Sequence, residues 1–490
     1  MSIPPIESKI ITDRLLSSWI RCKRKAWLDV YENKERKIWL AHRSLQLDHQ
    51  YKSLKAFSCT KPGYGIKGCL KGEENVVGIR LKTSNFFNHH IEAHPLILHK
   101  TKGNSCFGNF KYQPVIVRQG RRITRNHRLS LALWGHLLEQ FQQSSIDEGL
   151  AISLTKNGLE IDKVFLSKKL HQQLLNSINK LIIDLDKKDP PSLTSDRKKC
   201  VLCPWNKVCN KKALEEGHLS EINGIGSKRQ EILQSIGINN ITELAKAKSI
   251  FLSDKLDTFG GKNDMLSHQL INQAKVQLSS IPKRINTNPV LPELSNVPGV
   301  IIYDIESDPD ANHDFLHGFI SIRKTGIRNW DVDNFNYNNI LTISNKDEKD
   351  TLFEIYKQFN NFNSWPILHY GETEYLSFQK MAKRHGMPDL ELNSIQNRFV
   401  DVHERVRKHW LLPVNSYGLK GVAQWLGFKW DQKNVDGAQA LLWWRQWRST
   451  QNNSIVHKAN LKKLLRYNQD DCIATWVIAQ WLLNNDREHK

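Results

Sequence analysis

The stretch Gly299-Val300-Ile301-Ile302-Tyr303-Asp304-Ile305-Glu306 decides how the C-terminal part of this 490-residue chain is read. Its β-type run predicts a strand. Strand alternation sends Asp304 and Glu306 to one face and Ile301, Tyr303 and Ile305 to the other. Carboxylates carried side by side repel, so such a pair marks either bound cations or a solvated strand end. Taken alone, the pair fits both readings.

Downstream, strand-like and helix-like segments alternate to the C-terminus, the pattern of an α/β fold. In Trp365-Pro366-Ile367-Leu368-His369-Tyr370-Gly371-Glu372-Thr373-Glu374-Tyr375 a short apolar strand breaks at glycine and enters a helix with Tyr375, Phe378, Met381 and Ala382 as its apolar positions. Glu374 falls in the first turn, where acids are favoured by the helix dipole alone. A later helix runs through Leu461, Leu464 and Leu465 to Ile473, Trp476 and Val477, and four-residue spacing puts Tyr467 and Asp471 on one face. Leu419, Val422, Ala423 and Leu426 form the inward side of another helix, on which Lys420, a candidate phosphate contact, reads more often as solvated and is left outside the catalytic set. His369, His403 and His409 lack metal-ligand spacing and read as packing or surface residues.

The order of these signals is what carries weight: Asp-x-Glu on a strand, an acid after a fourth strand, and Tyr-x-x-x-Asp on a late helix. It resembles the DEDD superfamily of 3′-to-5′ exonucleases on an RNase H-like fold, in the subtype with tyrosine in its third motif. His369-Tyr370, Asp401 and Ser416-Tyr417-Gly418-Leu419-Lys420 extend the likeness to bacterial RNase H-like exonuclease domains over about residues 298–485. The resemblance implies that Asp304, Glu306, Glu374 and Asp471 hold two Mg²⁺ or Mn²⁺ ions and that Tyr467 orients the attacking water. Glutamate stands at the second motif where the superfamily more often has aspartate. Glu372 is the alternative ligand there, and Asp470 the alternative to Asp471.

Composition points the same way. Lys and Arg total 71 against 50 Asp and Glu, a surplus of 21 that suits a polyanionic partner, with nucleic acid first; the resemblances favour DNA over RNA. The 39% hydrophobic content is that of a globular chain, and the length calls for two or three domains. The opening MSIPPIESK lacks a signal-peptide pattern and no run of about 18 apolar residues occurs, so a cytoplasmic protein without a membrane partner is expected.

Three of the eight cysteines cluster as Cys200-x2-Cys203-x5-Cys209 on a tight loop, and Cys22 is a distant fourth. Four soft ligands suit zinc or an iron-sulfur cluster, whereas Cys59, Cys69 and Cys106 have no partner spacing. One upstream cysteine plus this trio, with the helical opening Leu15 to Leu28, resembles the iron-sulfur clasp of RecB-like nucleases, including the CRISPR-associated four-cysteine exonucleases. That implies a [4Fe-4S] cluster, with zinc as the alternative, on a PD-(D/E)xK-type α/β fold. The acidic positions of that motif correspond here to Leu96 and Ile116, and its lysine to Arg118. Apolar side chains cannot hold a hard cation and arginine stays protonated, so this domain reads as degenerate, with Glu73, Glu74 or Glu92 as alternative acids. It can still bind phosphates through Arg21, Lys23, Arg24, Lys25, Arg118, Arg121, Arg122, Arg125, Arg128, Lys198 and Lys199. Trp19, Trp27 and Trp134, taken singly, read as core.

Between these parts, Leu219 to Leu233 resembles a helix-hairpin-helix, in which Gly224 and Gly226 shape a phosphate-binding turn beside Lys228 and Arg229. A second glycine turn stands at Gly260-Gly261. The expected architecture is thus α/β multidomain: a PD-(D/E)xK-like α/β domain at 1–215, a small all-α helix-hairpin-helix linker at 216–290, and an RNase H-like α/β domain at 291–490. The expected activity is a metal-dependent 3′-to-5′ exonuclease on single-stranded DNA. The alternatives are an exoribonuclease and a non-catalytic iron-sulfur nucleic-acid-binding protein.

Overall fold

Gly299–Asp308 is the middle strand of a five-stranded sheet. In space the order is Asn336–Leu341, His313–Arg323, Gly299–Asp308, Ile367–His369, Phe399–Asp401. The first three pair antiparallel and the last two run parallel to the middle strand. Period-two alternation sorts its side chains as expected. Val300 and Ile302 enter a core with Cys472, Trp476 and Ile478 of the long helix Ile455–Asn485. Ile301, Tyr303 and Ile305 enter a separate core with Phe359, Phe378 and Met381. Each such fully buried aliphatic side chain contributes about 1.5–3 kcal/mol. The carboxylates of Asp304 and Glu306 therefore lie under the long helix, on a sheet face covered by protein.

The computed structural model describes residues 10–86, 89–120, 122–257, 264–326, 329–344, 347–433, 435–449 and 455–486; Arg121 and the Gly260-Gly261 turn lie outside them. The chain divides into two compact units, Met1–Asn210 and Lys211–Lys490.

In the first unit a six-stranded mixed sheet runs in the order Gly63–Tyr64, Asn75–Val77, Ile97–Ser105, Gly108–Val117, Glu148–Thr155, Gly158–Phe165. Gly108–Val117 and Glu148–Thr155 are parallel, which requires a crossover, and the helix Arg125–Gln142 makes it. Trp19 and Trp134 are core residues, as read from sequence, with their indole N–H groups donated to Asp184 and Asp13. The first unit holds 36 Lys and Arg against 18 Asp and Glu, so it carries 18 of the 21 surplus positive charges.

The second unit begins with the helices Ser227–Ser235, Ile241–Lys246, Ser249–Asp257 and Asp264–Ser279, which share a core built on Leu219, Leu233, Leu244, Leu252 and Ala274. Gln273 fastens them to the rest of this unit, donating to the Leu412 carbonyl and accepting from Tyr417.

Candidate metal centre and a four-cysteine cavity

Three carboxylates meet where the middle strand passes under the long helix. Ligand oxygens of Asp304, Glu306 and Asp471 all lie within 4.8 Å of one another. The first two arrive by strand alternation. Asp471 arrives because the helix face bearing Leu464, Tyr467 and Asp471 is the one turned to the sheet. Asp470, the alternative read from sequence, is also buried, but it accepts from the Asp431 amide (2.9 Å) and faces Arg466 (3.3 Å).

Glu374 follows the next strand of the sheet, in the first turn of a helix. Gly371, with φ of +108°, turns the chain out of Ile367–His369 into the helix Thr373–Arg384. Asp401, at the end of the adjacent strand, holds this turn by accepting from the Gly371 amide at 2.9 Å while capping its own helix at His403. Glu374 is thereby buried, and its Oε2 lacks a hydrogen-bond partner, with His369 Nδ1 3.7 Å away. Its charge acts on both Asp304 and Glu306, although it stands outside the 4.8 Å group. Glu372, the other acid of this turn, is exposed.

Burial, then the mutual repulsion of these acids, raises the proton affinity of Asp304 and Glu306 well above the carboxylate range. Burial pushes Asp471 up to about 6, against the pull of Lys420 and of hydrogen bonds from Trp430 and Tyr467. Such a concentration of desolvated carboxylates, with one orphaned oxygen, is what a hard divalent cation satisfies.

Three further residues serve this pocket and stood outside the catalytic set read from sequence. Trp430 donates its indole N–H to Asp471 Oδ1 (2.6 Å), and Asn468 donates to Asp304 Oδ2 (2.7 Å). Lys420, read as a solvated surface residue, instead reaches inward. Its Nζ lies 4.7 Å from the centre of the Tyr467 ring and 5.6 Å from that of Trp430, and it donates to the Val435 carbonyl. One turn of helix separates it from the inward-facing Ala423, so its amphipathic helix lays the lysine stem along the pocket wall. The adjacency of Asn468 to Tyr467 was a signal in the sequence; Trp430 offered none.

In the first unit, Cys22, Cys200, Cys203 and Cys209 line one cavity. The trio is not confined to a loop, since Cys209 lies on the helix Asn206–Glu215. Burial pushes the Cys200 thiol up to about 11 and raises those of Cys203 and Cys209, with the other thiols of the group adding to the effect. Among the described residues, the carboxylate triad is the only group of three such ligand atoms within 4.8 Å of one another, so no three of the four sulfurs lie that close together.

Two of the cations read as phosphate-directed are buried instead. Arg24 lies beside Cys209 and donates to the Pro191 carbonyl (2.8 Å). Arg118 is 3% exposed and is held by Glu160 (2.6 Å) and Asp162 (2.9 Å). Those partners lie on the neighbouring strand Gly158–Phe165, whose negative charges the sequence reading had not linked to Arg118. Ile116 packs in the core, and Glu92 is taken up by Arg80 and His94.

Residues 301–483 match the RNase_H_2 family model of the RNase_H superfamily. The C-terminal part of the chain is thus an RNase H-like domain, a fold of nucleic-acid hydrolases, with an acidic group able to bind metal at its centre. No curated protein matches the chain. No helix among the described residues is long and apolar enough to cross a membrane.

Proposed function

We propose that this chain is a metal-dependent 3′-to-5′ exonuclease acting on single-stranded DNA at its C-terminal site. The observation that carries the reading is the convergence of Asp304, Glu306 and Asp471 within 4.8 Å on an RNase H-like domain. These three would hold Mg²⁺ or Mn²⁺, with Glu374 completing a second position. Two such ions, when bound, stabilise the attacking and leaving oxygens of a phosphodiester. Tyr467, hydrogen-bonded to Asp471, places its hydroxyl where it orients a water held by that carboxylate. Lys420 supplies the positive charge beside Tyr467 that offsets the acids and faces an incoming phosphate.

The grip on nucleic acid belongs in this reading to the first unit, with its surplus of 18 positive charges, and to the turn at Gly224 and Gly226, where Lys228 is exposed. Gly224 has φ of +91°, as a tight helix-connecting turn needs. Arg229 donates to the Gly224 carbonyl, which supports a role in shaping the turn beside any phosphate contact.

The first unit is then a RecB-like domain without its own cutting site, and its cysteines hold a [4Fe-4S] cluster. Tetrahedral zinc with Zn–S near 2.3 Å brings sulfurs to about 3.8 Å from one another. Four sulfurs around a cavity, no three of them within 4.8 Å of one another, favour the larger group. Arg24 beside Cys209, and Arg197 near Cys200, supply compensating charge.

The test is digestion of end-labelled single strands of DNA and of RNA with Mg²⁺ or Mn²⁺, comparing the wild type with Asp304→Ala. Removal of nucleotides from the 3′ end of DNA, abolished by the substitution while binding persists, is expected. Faster digestion of RNA would make the protein an exoribonuclease. Cleavage that survives Asp304→Ala would refute the C-terminal site, and binding without any cleavage would refute an enzyme.

A further inference from the structure

Asp304 is held by a device on the side away from the other carboxylates. Asn468, fully buried on the long helix, donates through Nδ2 to Asp304 Oδ2 at 2.7 Å and approaches the Asp304 carbonyl at 3.4 Å. Its Oδ1 accepts from the hydroxyl of Tyr337 at 2.9 Å. The ionised Asp304 carboxylate only accepts, so the NH₂ group faces it, and the amide oxygen on the other side takes the proton of the Tyr337 hydroxyl. Tyr337 lies on the strand Asn336–Leu341, two strands from Asp304, so the amide spans the intervening strand.

The intervening strand has a gap where the amide passes. Gly318 pairs directly with Asp304 across the antiparallel ladder. A Cβ at Gly318 would collide with Oδ1 of Asn468, lie 2.8 Å from its Cγ and come within 3.2 Å of the Tyr337 ring. Gly318 is not at a positive φ, so its backbone does not require glycine; the Asn468 side chain does.

We infer that Asn468 is a positioning residue for the metal centre: Tyr337 and the gap at Gly318 lock its amide so that it fixes the Asp304 carboxylate for ion binding. The inference rests on the metal-centre reading above. One oxygen of Asp304 is satisfied by the amide, which leaves the other for the ion and prevents the carboxylate from rotating away from Glu306 and Asp471. Partners of this kind behind metal ligands typically affect metal affinity about ten- to a hundredfold.

Direct Mn²⁺ binding to the full chain, by calorimetry or paramagnetic resonance, tests this without requiring catalysis. Wild type is compared with Asn468→Ala, with the shape-preserving Asn468→Leu, and with Tyr337→Phe, which removes only the anchoring hydroxyl. Melting curves establish that each is folded. The expected result is Mn²⁺ affinity about tenfold or more weaker in both Asn468 variants, and a smaller loss of the same sign in Tyr337→Phe. Digestion by the variants should recover most of the wild-type rate at saturating Mn²⁺. Gly318→Ala should weaken binding in the wild-type background and add nothing to Asn468→Ala. Wild-type affinity in Asn468→Leu would assign the side chain to packing and overturn the inference. Absence of Mn²⁺ binding by the wild type would instead bring down the metal-centre reading, and this inference with it.

Discussion

Lys420 stands over the ring of Tyr467, its Nζ 4.7 Å from the ring centre, inside a pocket otherwise dominated by carboxylates. Its charge acts on Asp471, Glu306 and Asp304, and among the groups that draw protons off Asp471 it is foremost. Lys420→Met is expected to slow single-turnover digestion about a hundredfold, the scale seen when one preorganised cationic or hydrogen-bonding group is lost from a hydrolytic site. Nucleic-acid affinity should change little, because most of the surplus charge lies in the other unit. A wild-type rate in this variant would return Lys420 to the role of a surface residue.

Stability should depend on pH through the same pocket. Asp471 is pushed up to about 6 from its ordinary 3.8, and burial raises Asp304 and Glu306 as well. The folded chain therefore keeps protons that the unfolded chain has released, so raising the pH through this window costs the metal-free fold stability. Mg²⁺, bound as proposed, would replace those protons. In the presence of a chelator, Tm should fall as the pH rises from about 4 to about 6 relative to an Asp471→Asn variant. The rise in Tm on adding Mg²⁺ should be larger at the higher pH. An Mg²⁺ effect that shrinks with pH would contradict the linkage.

Anaerobically purified protein should, on the proposed reading, absorb visible light and contain iron and acid-labile sulfide, and both should be lost in Cys22→Ser and Cys203→Ser. Melting of the first unit should shift to lower temperature at the same time, since Cys22 and the trio lie 178 or more positions apart and a cluster held by them would close that long loop. Colourless protein with bound zinc would change the metal and keep the ligand set.

Arg118 gives a test of the proposal that the first unit has no cutting site. Arg118→Met should cost about 1–3 kcal/mol, from the loss of charged hydrogen bonds to Glu160 and Asp162. It should leave digestion unchanged. Arg118→Lys, which puts a lysine where the proposed nuclease motif would have one, should create no cleavage in an Asp304→Ala background, because Leu96 and Ile116 offer no carboxylate. Metal-dependent cutting by that double variant would show that the first unit retains a site built on other acids.

Short-range periodicity made much of the second unit legible. A period of two was enough to pair Asp304 with Glu306 on one face, and helical spacing was enough to pair Tyr467 with Asp471, because both relations are set within a few residues of backbone. The same reasoning placed Glu374 in a first turn but left its role open, since a helix dipole accounts for an acid there as well as a metal does.

The amino-acid sequence by itself determined the order of the acidic motifs, the concentration of positive charge and the cysteine spacing. Tertiary structure alone decided which candidate in each adjacent pair entered the pocket. Glu374 is buried while Glu372 is exposed, and Asp471 faces the strand while Asp470 turns to Asp431. It also turned Lys420 inward, buried Arg118 against the neighbouring strand and threaded Asn468 past Gly318. The physical reason is that neighbours along a chain differ by about 100° around a helix, so which one meets a partner depends on the face that the sheet covers, and that is set by residues far away in sequence.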